Sequence, residues 1–119
     1  MAAPGGGYSA GAKACKTGKS ATVEELIEMM NKRSGVKAEY ATGDAERYLK
    51  IIGAEGSHML DEAGNSHILL RKDVATRRTA LHEWLHRYFQ SKKGGPSPGE
   101  DDMIEAFLER HKKLLGLDE

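Results

Sequence analysis

A stretch of the chain without glycine or proline contains two histidines four residues apart, His82 and His86. Residues at i and i+4 share one face of an α-helix, so both imidazoles can point at the same position in space. Glu83 follows the first histidine and lies about 100° further round such a helix. The pattern predicts a helix over residues 74–90, capped by Asp73. The apolar residues that we expect this helix to bury are Leu81, Trp84, Leu85 and Tyr88.

Capping and turn signals divide the rest of the chain into short elements. Thr22 with Glu25 matches a capping box, which marks the beginning of a helix. A Gly-Asn pair between two apolar runs is typical of the turn of a β-hairpin. The further predicted elements are a helix over 22–33, a strand over 36–40, a helix over 45–52 capped by Asp44 and ended by Gly53, hairpin strands over 58–60 and 66–71, and a helix over 100–115 ended by Gly116.

This order of helices and strands favours a compact α+β domain with a single core. We assign residues 21–119 to that domain, because a chain of 119 residues has room for one core. Residues 1–20 are rich in Gly, Ala, Ser and Lys and lack apolar periodicity, which is typical of a flexible tail or linker. The single cysteine, Cys15, excludes an internal disulfide and a Cys-rich zinc framework. Any metal site must therefore use histidines and carboxylates.

Charge and hydropathy exclude several classes of partner. The 18 Lys and Arg residues balance 18 Asp and Glu residues, so nothing in the net charge favours nucleic acid or an acidic membrane surface. No apolar run approaches the roughly 18 residues that a membrane helix needs. The first 20 residues also lack the apolar segment of a secretory signal. We expect a protein that is either cytoplasmic or exported as part of a longer chain.

The histidine pair and its glutamate form the sequence His-Glu-x-x-His, whose residue types suit zinc chemistry. Neutral imidazoles bind Zn²⁺ at about 2.0–2.1 Å. A carboxylate beside the metal, here Glu83, can take a proton from a zinc-bound water whose pKa the metal lowers toward roughly 7. The sequence therefore predicts His82 and His86 as metal ligands and Glu83 as the catalytic base.

A catalytic zinc needs a third protein ligand, and the last predicted helix offers the candidates. They are Glu100, Asp101, Asp102, Glu105, Glu109 and His111. Asp101, Glu105 and Glu109 form one stripe at i, i+4 and i+8. Glu105 lies in the middle of this stripe, borders apolar residues, and is the predicted ligand. The alternatives are Asp101 as ligand, with Glu105 orienting a ligand histidine, and a solvated acidic face without a metal.

The spacing of these residues resembles that of gluzincins. His-Glu-x-x-His is followed after 18 residues by Glu105-Ala106, with Glu109 one turn later. The order of elements is also similar. A strand at Ile68-Leu69-Leu70-Arg71 that precedes the motif resembles the arrangement in the zincin-like metallopeptidase toxin domains of bacterial polymorphic toxins. The resemblance implies a minimal zincin-like domain with a small antiparallel or mixed sheet. It also implies a zinc-dependent endopeptidase, delivered at the end of a longer secreted toxin, with a protein or peptide substrate and a cognate immunity protein.

Two other functions remain open, namely an intracellular regulatory peptidase and a non-catalytic zinc-binding interaction module. The module would have no use for Glu83.

Tyr88 and His111 are candidates for stabilising a tetrahedral intermediate, although core packing is the simpler role for both. His58 and His67 flank the hairpin turn and are expected to pair across it. Residues 66–71 are the predicted edge strand, to which an extended peptide would add.

Overall fold

A computed structural model of the protein describes residues 21–93 and 95–117. The predicted tail over residues 1–20, including Cys15, lies outside the described residues. The described part contains five helices and three strands and is a small α+β domain, as predicted. In chain order the elements are α1 (Val23–Asn31), β1 (Val36–Tyr40), α2 (Gly43–Ile52), β2 (Gly56–Leu60), β3 (Ser66–Leu70), α3 (Arg77–Lys93), α4 (Glu100–Arg110) and α5 (Lys112–Leu115).

The three strands form one mixed sheet in the order β1-β3-β2. Strands β2 and β3 are antiparallel and form the predicted hairpin, with Gly56 opposite Leu70. Strand β1 lies on the other side of β3 and runs parallel to it, with Val36 opposite Ser66. The prediction that residues 66–71 form an edge is therefore wrong, because β3 is bonded on both sides. Among the described strands, β2 is the one that contacts α3 and has no strand on its outer side.

Helix α3 packs on the sheet and contacts β2, β3, α1 and α4. The core beneath it is built from the small and aliphatic side chains of Ala21, Leu26, Met30, Ala38, Ile68, Leu70 and Ala80. Trp84 packs against this core as predicted. Tyr88 does not, since 48% of its surface is exposed. The buried face of α3 instead includes Thr79, Glu83 and Gln90, so this helix presents polar groups to the interior.

Helix α3 begins at Arg77, three residues later than predicted. Asp73 does not cap it, because its carboxylate accepts hydrogen bonds from the guanidinium of Arg71. Two threonines take over the role of the cap. The backbone N–H of Thr76 donates to Oγ1 of Thr79 at 3.0 Å, and the N–H of Thr79 donates to Oγ1 of Thr76 at 3.3 Å. These reciprocal bonds satisfy donors that a helix start leaves without partners.

The ends of the other helices confirm some capping signals and correct others. The capping box of Thr22 and Glu25 is present. Asp44 does not cap α2, because it lies inside the first turn and pairs with Arg47. The helix predicted over 100–115 is divided at His111 into α4 and α5. Within residues 21–93 and 95–117, no helix has the length and apolar character needed to cross a membrane.

Candidate metal centre

The packing of α4 against α3 brings His82, His86 and Asp101 together. Nε2 of His82 lies 3.1 Å from Oδ1 of Asp101, and Nε2 of His86 lies 2.8 Å from the same oxygen. One ligand-type atom from each residue lies within 4.8 Å of the other two. The predicted convergence of the two imidazoles is therefore present in the described structure. The carboxylate that meets them comes from Asp101.

Each imidazole is held by a second carboxylate at its other ring nitrogen. Nδ1 of His82 lies 2.6 Å from Oε2 of Glu105, and Nδ1 of His86 lies 2.5 Å from Oε1 of Glu100. A carboxylate that accepts the Nδ1–H of a histidine fixes the orientation of the ring and leaves Nε2 free to bind a metal. The two outer carboxylates therefore aim both Nε2 atoms at the position beside Asp101.

Glu105, the predicted third ligand, lies on the outer side of His82 and is not part of the converging group. Its other oxygen, Oε1, accepts hydrogen bonds from Nε and Nη2 of Arg78 at 3.2 and 2.6 Å. This placement favours the alternative in which Asp101 is the ligand and Glu105 orients a histidine. Glu109, the third member of the acidic stripe, lies 3.9 Å from Nη2 of Arg78, away from the converging group.

The charges of the cluster favour a cation. Burial works to lower the pKa of His82, but its hydrogen bonds to Glu105 and Asp101 outweigh burial, so the pKa is raised. The hydrogen bond from His82 lowers the pKa of Asp101. The carboxylates around His82 therefore stabilise the protonated, positively charged form of its imidazole. A divalent ion can take the place of that proton, because metals bind the deprotonated forms of histidine and carboxylate.

Glu83 faces the same region from the buried side of α3. Only 6% of its surface is exposed. No described residue donates a hydrogen bond to its carboxyl group. Burial raises the pKa of Glu83 to about 7, although the nearby charges of His82 and His86 act to lower it. A carboxyl group that is both desolvated and free of donors is a stronger base than an exposed one. A metal ion at the cluster would lower this pKa again through its own charge.

Gly56 on β2 allows Glu83 to lie close to the sheet. A Cβ atom at this position would be 2.9 Å from the carbonyl oxygen of Leu69, 3.0 Å from Cδ2 of Leu70 and 3.3 Å from Cγ of Glu83. The first two atoms belong to the sheet and its core, which resist displacement. The absence of a side chain at Gly56 thus determines how near α3 approaches β2 at the base.

We expect Gly56→Ala to lower the free energy of unfolding by about 1–3 kcal/mol, the usual cost of overpacking a well-packed site. Urea denaturation followed by circular dichroism measures the change. Ser57→Ala, one residue along the same strand, serves as the control and should change stability by less than about 0.5 kcal/mol. Equal stabilities for wild type and Gly56→Ala would show that α3 and β2 can separate without cost.

A cavity of about 560 Å³ lies beside the cluster. Its walls include Glu83, both cluster histidines and the first half of β2. Tyr88 and His111 do not line it, since Tyr88 packs against Phe89 and His111 against Phe107. Neither residue is therefore placed to stabilise a reaction intermediate at the cluster.

The two hairpin histidines do not pair with each other. His67 bonds to Glu39 of β1, with Nε2 and Oε2 2.7 Å apart. His58 faces the cavity and bonds to Oγ of Ser66, with its ring nearly parallel to that of His86. Burial lowers the pKa of His58 to about 4, and the neighbouring charge of His86 acts in the same direction.

Glu100, which the sequence indicated only as one of several ligand candidates, is buried and bonded to a cluster histidine. It is 4% exposed, and its Oε1 accepts hydrogen bonds from Nδ1 of His86 and from Nε2 of Gln90 at 2.8 Å. Burial works to raise the pKa of Glu100, but these hydrogen bonds outweigh it and lower the pKa. Its position at the first residue of α4, next to Asp101, is the only sequence signal that could have indicated this role.

A scan against models of protein families, a search of curated proteins and a search of solved structures each find no match to this chain. The resemblance to gluzincins and to toxin domains therefore stays a prediction from the sequence. What can be proposed about function depends on the geometry of the cluster.

Proposed function

We propose that this protein is a zinc-dependent peptidase in which His82, His86 and Asp101 bind the metal and Glu83 is the base. One observation supports this more than any other: two Nε2 atoms meet at one carboxylate oxygen while both Nδ1 atoms are held by other carboxylates. This combination is the usual surrounding of metal-bound histidine.

The donor set fits zinc in kind, and the two distances to Asp101 are close to those of a zinc site. Ligands at about 2.0–2.1 Å in tetrahedral geometry lie roughly 3.4 Å apart. The distances of 3.1 and 2.8 Å from Asp101 to the two Nε2 atoms need only a small increase to reach that spacing. Three protein ligands leave the fourth position open, which is the arrangement of catalytic rather than structural zinc. The side chain of Asp101 is 76% exposed, so this position adjoins solvent.

Zinc bound there would polarise a substrate carbonyl and lower the pKa of a water molecule. Glu83 lines the cavity at this position and carries no competing hydrogen bond. Its carboxylate is suited to accept a proton from the attacking water and to give that proton to the departing amine. Glu105 and Glu100 would hold the two imidazoles in place through their hydrogen bonds to the Nδ1 atoms.

The outer edge of β2, which no described strand covers, supports an extended peptide as the substrate. The backbone N–H of Arg71 donates to the carbonyl of Glu55 at 2.8 Å, which places this pair among the hydrogen-bonded pairs of the hairpin. Such pairs alternate along an antiparallel ladder, so the backbone groups of Gly56 and His58 are expected to face the open edge. Both residues line the cavity. A peptide that adds to β2 as a strand would pass beside Glu83.

Two features argue against a non-catalytic zinc module. Glu83 is a buried carboxyl group next to the cluster, and a structural site has no use for it. A structural site would also use four protein ligands rather than three. The setting as a delivered toxin domain with an immunity protein is a further proposal, which depends on the resemblance of the sequence. The same chemistry would serve an intracellular regulatory peptidase.

Metal analysis and a cleavage assay test the proposal together. The purified chain should contain about one zinc, as a single catalytic site requires. It should also cut members of a peptide mixture, with loss of cleavage on chelation and recovery on addition of zinc, as seen by mass spectrometry. His86→Ala, purified in parallel, controls for contaminating proteases. A chain that takes up no zinc refutes the proposal, and a zinc-loaded chain that cuts no peptide favours the binding module.

A further inference from the structure

The two carboxylates that hold the cluster histidines differ in how they are themselves held. Glu100 is 4% exposed, and burial and a hydrogen bond from Nε2 of Gln90 at 2.8 Å keep it in place. The side chain of Glu105 is 47% exposed, so burial does not restrict it to one conformation. Ordering a long polar side chain costs conformational entropy. Glu105 therefore needs a partner of its own if it is to orient His82 firmly.

Arg78 is that partner. Its Nε and Nη2 donate to Oε1 of Glu105 at 3.2 and 2.6 Å. The other oxygen of Glu105, Oε2, lies 2.6 Å from Nδ1 of His82. Within residues 21–93 and 95–117, Arg78 and His82 are the side chains bonded to this carboxylate. The arginine thus occupies one oxygen and leaves the other for the histidine.

Both partners of Glu105 lie on the same helix. Arg78 precedes His82 by four residues on α3, so the two side chains share one face of the helix. Arginine presents its donors in a rigid planar fork, which fixes the direction of the bonds it makes. Helix α3 therefore carries both the imidazole and the group that determines where the acceptor of that imidazole lies.

The charge of Arg78 acts against binding of a metal cation, whereas its hydrogen bonds favour it. A guanidinium near the cluster repels a divalent ion. Glu105 offsets part of this charge, as does Glu109, whose Oε1 lies 3.9 Å from Nη2 of Arg78. Both members of the Arg78–Glu105 pair are more than one-third exposed, so solvent screens the repulsion further. Removal of the arginine should therefore change zinc affinity in opposite directions for a geometric role and for an electrostatic one.

We infer that Arg78 is a positioning residue for the metal ligand His82, acting through Glu105. This inference rests on the proposed zinc site. By holding Oε1 of Glu105, Arg78 keeps Oε2 directed at Nδ1 of His82, and the opposite nitrogen, Nε2, is then directed at the metal. Without the arginine, the exposed carboxylate can turn toward solvent, and the imidazole loses its fixed orientation.

Two substitutions of Arg78 separate this role from an electrostatic one. Arg78→Met removes the donors and the charge but keeps an unbranched side chain that favours a helix. Arg78→Lys keeps the charge and a single donor group. Arg78→Met is also combined with Glu105→Ala, which removes the residue through which the arginine acts. The matched control is Arg47→Met, since Arg47 forms an exposed ion pair with Asp44 on α2, which contributes no residue to the cluster.

We expect Arg78→Met to bind zinc about 3- to 10-fold more weakly than wild type, a part of the loss that follows removal of an orienting carboxylate. Arg78→Lys should lie between the two, and Arg47→Met should equal wild type. In the Glu105→Ala protein, Arg78→Met should change the affinity by less than about twofold. Competition with a chromophoric chelator measures all of these affinities. Unchanged or tighter binding by Arg78→Met, or an equal loss with and without Glu105, would overturn the inference.

Spectra of the metal-free proteins distinguish this role from a displacement of α4 as a whole. Nδ1 of His82 is held by Glu105 and Nδ1 of His86 by Glu100, and both carboxylates belong to α4. In ¹⁵N–¹H correlation spectra, Arg78→Met should change the Nδ1–H signal of His82 and leave that of His86 unchanged. A change in both signals, or in neither, would contradict the inference. If wild type binds no zinc, the proposed function fails, and the two signals still show whether Arg78 holds Glu105 on His82.

Discussion

Replacing Asp101 with alanine is expected to lower zinc affinity by about a thousandfold, whereas Glu105→Gln should lower it only about 10- to 100-fold. Binding free energies of about 10–16 kcal/mol for structural zinc sites, shared among their four ligands, assign up to about 4 kcal/mol to each, and each 1.4 kcal/mol is tenfold. A carboxylate that orients a ligand histidine contributes the smaller factor. The difference follows from where the two carboxylates lie, since Asp101 meets both Nε2 atoms and Glu105 meets Nδ1 of His82.

Competition with a chromophoric chelator measures both affinities, and the visible absorption of the cobalt-substituted proteins reports the coordination number. Asp102→Ala is the matched control, because Asp102 is the next acidic residue on α4 and is not part of the converging group. Its affinity should equal that of wild type. A larger loss for Glu105→Gln than for Asp101→Ala would restore Glu105 as the third ligand and would mean that α4 lies one turn further along α3.

The sequence could identify two ligands but not the third, and the reason is geometric. The i, i+4 spacing of the histidines is a property of one helix. The third ligand depends on how a second helix is placed against the first. Ile104 and Leu108 are fully buried and fix the rotation of α4, which turns the acidic stripe toward α3. Asp101 and Glu105 are one turn apart on that stripe, so a shift of about 5.4 Å along the axis exchanges their roles.

The sheet shows the same division between local and non-local information. The hairpin of β2 and β3 and the bounds of β1 follow from local turns and alternation, and the structure confirms them. The pairing of β1 with β3 joins residues about 30 positions apart, which no local pattern indicates. One available signal was the unbroken apolar run of Ile68, Leu69 and Leu70, since strands that pair in parallel usually have both faces covered and read as nearly continuous apolar runs.

Glu83→Gln is expected to reduce peptide cleavage by about 10²- to 10⁴-fold, the usual contribution of a general base, while zinc content is unchanged. Glutamine keeps the shape of the side chain and removes its ability to accept a proton from water. The carboxyl of Glu83 makes no hydrogen bond with a described residue, so the amide replaces it without breaking one. The cluster of Nε2 atoms and Asp101 does not include Glu83, so metal binding should be retained.

The control is Glu55→Gln, which removes another carboxylate from the wall of the same cavity. Oε1 of Glu55 accepts a hydrogen bond from the hydroxyl of Thr79, and its side chain is not in the converging group. Cleavage by this variant should stay within about threefold of wild type, since Glu55 is neither a member of the converging group nor the proposed base. Loss of zinc from Glu83→Gln would make Glu83 a ligand. Full activity in Glu83→Gln would place the base elsewhere. Low activity with zinc still bound would support Glu83 as the base.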